Sequence, residues 1–123
     1  MFRRRLLAAL PLLALAAAGC TPQPTTVVAV PVQGCNTAFR VVNASSRTVM
    51  QLFFSHSTLA NWGADQLGAN VLPPGRYANY VAANPGAYDF RITWAGGGSA
   101  EIRQVNVCRA SEIRVTNSGI VAM

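Results

Sequence analysis

From Cys35 onward, apolar and polar residues alternate in short runs broken by turn signals. No window sustains the 3.6-residue repeat of an amphipathic helix. The alternation is clearest in residues 88–94: Tyr88, Phe90, Ile92 and Trp94 line one face, while Asp89, Arg91 and Thr93 line the other. That is a strand with its aromatic face on a core. Residues 39–42 form an earlier strand, ended by Asn43-Ala44-Ser45-Ser46. Residues 48–55 follow at hairpin distance. Met50, Leu52 and Phe54 share one face there, with Val49 and Phe53 on the other, so a central strand covered on both sides is predicted. Residues 56–75 make a long excursion, with room for one irregular helical turn between Leu59 and Leu67, closed by the turn Pro73-Pro74-Gly75. Residues 76–82 form a strand with Tyr77 or Tyr80 inward. Gly96-Gly97-Gly98 turns the chain into residues 100–107, where the apolar phase slips between Ile102 and Val105, as a β-bulge would make it. Residues 112–115 and 119–121 complete the set, joined through Asn117-Ser118-Gly119.

This pattern predicts an all-β domain over residues 35–123. Its architecture is an antiparallel β-sandwich of about seven strands, immunoglobulin-like or transthyretin-like, with a small barrel as the alternative.

The first 34 residues read differently. Arg3, Arg4 and Arg5 precede an uncharged Leu/Ala stretch, residues 6–18, too short to span a bilayer and matching a secretory signal peptide over residues 1–19. Ala17-Ala18-Gly19-Cys20 resembles a bacterial lipobox, with Ala17 where the pattern prefers Leu. On that reading Cys20 is the lipidated first residue of the mature chain; cleavage after Ala18 is the alternative. By resemblance to enterobacterial lipoproteins, Thr21 in place of Asp points to the outer membrane. Residues 20–34 then form the lipidated Cys and an extended Pro/Thr/Val linker reaching on the order of 50 Å. Residues 27–30 have the alternative of docking as an edge strand.

Charge and cysteine count sharpen this. The chain has ten Arg, no Lys and four acids. Removing the signal leaves seven scattered Arg against those four acids, a net of +3 with no basic run, so nucleic acid is not an expected partner. One His, His56, and the absence of C-x-x-C spacing argue against a metal site, and no cofactor is expected. Three Cys leave one over in an oxidising compartment. With lipid on Cys20, Cys35 and Cys108 remain as a pair, a bridge that contributes about 4 kcal/mol in the chain-entropy model. A Cys20–Cys35 bridge is the alternative for a soluble periplasmic protein. Asn43-Ala44-Ser45 also matches the glycosylation acceptor pattern.

The candidate chemistry lies in two places. Trp62 and Asp65 sit on the long excursion, as a binding pair or as a Trp plug beside a carboxylate capping loop N–H groups. Asp89 and Arg91 share a sheet face, as a charged binding surface, a solvated ion pair, or a pin that reaches the loop of residues 62–68. Residues 43–55, Trp62-Gly63-x-Asp65-x-Leu67-Gly68, Pro74-Gly75 and Tyr88-Asp89-x-Arg91 together resemble a family of small exported bacterial proteins without assigned activity. The resemblance implies a secreted β-module and transfers no catalytic residue. The expectation is therefore an exported periplasmic or envelope protein, held to the membrane by lipid on Cys20. It would present a non-catalytic interaction module to an envelope protein or a small ligand. The alternatives are a small periplasmic hydrolase pairing His56 with Asp65 or Asp89, which lacks any G-x-S-x-G elbow, and a structural spacer.

Overall fold

The computed structural model describes residues 34–123, and the readings of the signal peptide, Cys20, the linker and residues 27–30 lie outside them. Residues Cys35–Met123 form one compact unit. It contains seven strands: β1 (Ala38–Asn43), β2 (Val49–His56), β3 (Tyr77–Val81), β4 (Ala87–Trp94), β5 (Ser99–Asn106), β6 (Glu112–Thr116) and β7 (Gly119–Ala122). They form a four-stranded sheet in the order β3-β1-β6-β7 and a three-stranded sheet in the order β2-β4-β5. The sheets do not close on one another by hydrogen bonds, so the sandwich prevails over the barrel. One pairing departs from the antiparallel expectation: β1 and β6 run parallel, Val41 opposite Ile113.

The core forms between the inner faces. Phe39, Val41, Leu52, Phe90, Ile92, Ile113 and Val115 are all buried. Phe39 packs edge-on against Phe54 and Phe90, with ring centres 5.1 and 5.4 Å away, the arrangement favoured by the aromatic quadrupole. The whole aromatic face of β4 points inward as its alternation predicts. In β3 the inward ring is Tyr80, while Tyr77 is 55% exposed.

β2 is an edge strand rather than the expected central one. A register shift between Val49 and Gln51 brings Val49 onto the inner face with Leu52 and Phe54 and leaves Met50 exposed. The slip in phase accounts for Val49, while Phe53 stays on the outer face, half-buried and opposite Arg91.

The excursion after β2 covers this edge. It contains no helix: Gly68 N–H bonds to the Asp65 carbonyl and Asn70 N–H to the Leu67 carbonyl, two successive tight turns. Leu67 and Leu72 enter the core. Leu72 exchanges backbone hydrogen bonds with Val49 at 2.9 Å each way, and Gln66 N–H bonds to the Leu52 carbonyl. Arg76 N–H closes a turn on the Pro73 carbonyl, with Pro74 at the second position and Gly75 at the third with φ +83°. That geometry is a type II turn, which needs glycine there.

Asn43, fully buried at the end of β1, ties these pieces together. Its amide donates to the carbonyls of Arg47 and Leu72, and its oxygen accepts from the Ser45 N–H and hydroxyl. Both amide protons are used inside the fold, so the glycosylation pattern at Asn43 is not accessible in the folded protein. Cys35 is bonded to Cys108 with Cα atoms 5.3 Å apart, fastening the chain just ahead of β1 to the β5–β6 turn across 73 residues.

Candidate functional site

Asp65 lies where the excursion crosses the β2 edge. One carboxylate oxygen accepts the Leu67 N–H at 3.0 Å within the loop and the Leu52 N–H at 2.9 Å in β2. The capping role read from the sequence is present, and it extends to the strand. An edge strand leaves alternate N–H groups bare, and Asp65 satisfies one of them.

Asp89 is buried on the outer face of the three-stranded sheet, opposite the aromatic stripe of β4. It accepts three hydrogen bonds: from the Ser57 hydroxyl at 2.7 Å, the Gln104 N–H at 2.9 Å and Arg103 at 3.1 Å. The expected bulge in β5 is the reason. Between Tyr88 and Phe90 on β4, β5 advances from Val105 to Ile102, one residue too many, and Gln104 takes φ +56°. The N–H turned out of the ladder is the one Asp89 receives. Asp89 does not touch residues 62–68 directly. It holds the start of the loop through Ser57, and Arg103, bound to Asp89, stacks over the Trp62 ring at 4.8 Å. Trp62 is therefore seated under a guanidinium instead of plugging the sandwich end. Arg103 also bonds Glu101 at 2.8 Å, and Glu101 pairs with Arg91 directly across the β4–β5 ladder.

Burial would raise the Asp89 pKa, but the hydrogen bonds from Ser57, Gln104 and Arg103 outweigh it and hold the carboxyl below its ordinary value. The hydrogen bond from Arg103 lowers Glu101 in the same way, and the one from Arg114 lowers Glu112. Asp89, Arg91 and Trp62 thus belong to one connected network, while Asp65 serves the loop edge. Both Asp89 oxygens, one Asp65 oxygen and the Arg91 guanidinium are engaged within the fold.

His56, at the end of β2, bonds through Nδ1 to the Thr58 hydroxyl at 2.9 Å and lies edge-on to Tyr88. Among the described residues it is bonded to neither Asp65 nor Asp89, whose partners are given above, so the His–Asp pair needed by the hydrolase reading is not assembled here.

What the geometry does assemble is a cleft of about 430 Å³ between the excursion and the ends of β2, β3 and β4. Trp62, Tyr80, Tyr88 and His56 supply ring surfaces, and Asn61 and Asn84 supply amides. The Tyr88 hydroxyl accepts the Asn84 N–H at 3.2 Å, and the Tyr80 hydroxyl donates to the Gln66 carbonyl at 3.4 Å. Burial, reinforced by the Asp65 charge, pushes the Tyr80 phenol above its ordinary pKa, so it stays a neutral donor. Among the described residues, no Asp, Glu, Lys or Arg lines the cleft.

Trp62 is the one cleft residue that the sequence reading placed in a binding role. Tyr80 and Tyr88 read as core residues because their faces point inward, and nothing in the local pattern marks where the core ends and a cleft begins. Arg103, Ser57 and Gln104 were missed, although the phase slip at residues 102–105 locates the bulge they serve. The chain matches no protein-family model, no curated protein and no solved structure.

Proposed function

We propose that this chain is an exported envelope protein, anchored by lipid on Cys20, whose β-sandwich serves as a non-catalytic binding module. The observation that carries the binding role is the neutral aromatic cleft. Rings offer flat apolar surface, the Asn61 and Asn84 amides offer donors and acceptors at the rim, and among the described residues no Asp, Glu, Lys or Arg lines it. Such a lining suits an uncharged ligand with an apolar ring face and hydroxyl or amide edges, the chemistry of an amino-sugar oligosaccharide. The export reading rests on the basic, apolar and small-residue order of residues 1–20 and agrees with a bridge that persists in oxidising compartments.

Two measurements test the two halves. Palmitate should label the chain and fail to label Cys20→Ser; equal labelling of both, or of neither, rejects the anchor. Chitotriose titrated into the purified protein should shift the NMR signals of Trp62, Tyr80 and Tyr88, and Trp62→Ala should abolish the shifts. An unchanged spectrum at millimolar ligand counts against the cleft as a site for such sugars.

A further inference from the structure

The four-stranded sheet ends in β3, and the backbone pairing shows which groups that edge offers. Asn43 N–H bonds to the Arg76 carbonyl and Ala82 N–H to the Thr37 carbonyl, with Phe39 opposite Tyr80 and Val41 opposite Ala78. In an antiparallel pair, residues that bond inward alternate with residues that bond outward. Residues 76, 78, 80 and 82 therefore face β1. The N–H and C=O groups of Tyr77, Asn79 and Val81 face away from it, and among the described residues none of them has a hydrogen-bond partner.

The other sheet edges are guarded. The excursion covers β2 through Asp65, Gln66 and Leu72. β5 carries the bulge and the Glu101–Arg103 charges, and β5 and β7 pack against each other. Among the described residues nothing pairs with the outer edge of β3, and Tyr77–Val81 itself holds no charge, no proline and no bulge. Its outward side chains include two of the more exposed large apolar residues, Tyr77 at 55% and Val81 at 73%. Open grooves lie along it, one of about 290 Å³ toward Leu67–Leu72 and one of about 430 Å³ over Ala38, Arg40, Asn79 and Val81.

The geometry points to a second copy of this chain as the occupant, joined β3 to β3, antiparallel, about a two-fold axis at Asn79. The sequence Tyr77-x-Asn79-x-Val81 is self-complementary in that register. Tyr77 meets the second copy's Val81, and Asn79 meets its own counterpart. Each of these opposed pairs exchanges both of its N–H···O bonds, which uses every group left free on the edge. The exposed aromatic and β-branched side chains become cross-strand neighbours on one face, and the two amides face each other. The charge on the strand path, Arg76, falls opposite Ala82, and Arg40, which lies over the Tyr77 ring at 5.0 Å, is paired with Glu112. The contact is isologous and closes, extending one four-stranded sheet into the next without an open end to propagate. This edge adjoins the cleft at Val81, which lines both, but the contact it makes is backbone pairing and does not depend on the cleft's ligand role.

Sedimentation equilibrium of the full exported chain carrying Cys20→Ser, from micromolar to millimolar concentration, tests it. A monomer–dimer equilibrium is expected. Asn79→Pro removes an N–H that the fold does not use, so it leaves the β1–β3 ladder intact while deleting one bond from each copy. It should weaken association about thirtyfold. Tyr77→Lys, on an exposed side chain, should weaken it as well, with an amide NMR spectrum that stays folded. Asn79→Cys in the same background should be captured by a short thiol crosslinker across Cα atoms about 5.5 Å apart, and Val121→Cys on the opposite edge should not. A monomer at every concentration overturns the proposal. So does a dimer indifferent to both edge variants, equal crosslinking at position 121, or a monomer whose Tyr77, Asn79 and Val81 amides resist hydrogen exchange.

Discussion

Asp89 gives the sharpest test of how the excursion is held. Replacing it with alanine removes the acceptor for Ser57, Arg103 and the Gln104 N–H at once. The three losses are unequal. Arg103 is largely exposed and returns to water, so its share is small. The Gln104 N–H sits half-buried in the crook of the bulge with its ladder partner displaced, so leaving it bare costs toward the low end of the range for an unsatisfied donor, about 1.5 kcal/mol. The Ser57 bond to a charged acceptor contributes about 1.5 kcal/mol. Together these give about 3 kcal/mol, which in a domain of this size lowers Tm by about 15 °C. Asp89→Asn keeps one acceptor oxygen for Gln104 and should lose about half as much. The assay is thermal unfolding followed by circular dichroism with the disulfide intact, paired with limited proteolysis. Cleavage between residues 57 and 71 should speed up in Asp89→Ala below the unfolding temperature, because Ser57 and the Arg103–Trp62 stack both depend on that carboxylate. A Tm change within the range of an ordinary surface substitution, about 0.5 kcal/mol, or unchanged proteolysis of the loop, refutes the reasoning.

Three further outcomes follow from the same contacts. Asn43→Ala empties four buried side-chain hydrogen bonds and should cost about 3 kcal/mol by urea unfolding. Asn43→Asp should cost more, since a carboxylate oxygen would face the carbonyls of Arg47 and Leu72; equal or smaller loss argues against that placement. Reducing Cys35–Cys108 should lower the free energy of unfolding by about 4 kcal/mol, and an unchanged urea midpoint after dithiothreitol would show that closing this loop adds nothing. Asp89, Glu101 and Glu112 all have lowered folded-state pKa values, so each contributes stability above the unfolded carboxyl pKa and loses it as pH falls through the folded value. The urea midpoint should be flat from neutral to about pH 5 and fall below about pH 4. The fall should shrink in Asp89→Asn, and a midpoint that rises on acidification would reverse the assigned signs.

Much of the fold is legible in the chain because each strand buries one face and each turn has its own chemistry. Residues 88–94 alternate without a slip, and β4 matches them to within one residue. The bulge in β5 was legible from the apolar phase alone. β2 misled because a slipped phase and a strand covered on both faces leave the same signature in one sequence: apolar residues at both parities. Pairing across the domain separates them, and pairing is not local. For the same reason, the parallel neighbour relation of β1 and β6 cannot be read from either strand. The Asp65 bond to Leu67 is a contact between residues two apart and was visible; its bond to Leu52 spans the excursion and was not.

The motif residues that stood out in the sequence now divide by what their side chains touch. Leu67 is buried, Gly68 turns the chain at φ +62°, Asp65 covers the β2 edge, Asp89 binds the bulge, and Arg91 pairs across the ladder. The first four of these jobs shape or hold residues 57–76 across the open side of the sandwich, while Arg91 braces the β4–β5 ladder. The side chains left facing the cleft are Trp62, His56, Tyr80, Tyr88 and the nearby amides, and Trp62 and Tyr88 belong to both groups. Loss of binding on changing Asp65 or Asp89 therefore reports displacement of the loop, because neither carboxylate is among the described residues lining the cleft. The informative substitution is Arg103→Gln. It frees the face of Trp62 that the guanidinium covers while leaving Gln104 and Ser57 on Asp89. If ligand affinity depends on how Trp62 is held, it should fall in Arg103→Gln with little change in Tm. If affinity and Tm fall together, the stack is part of the scaffold alone.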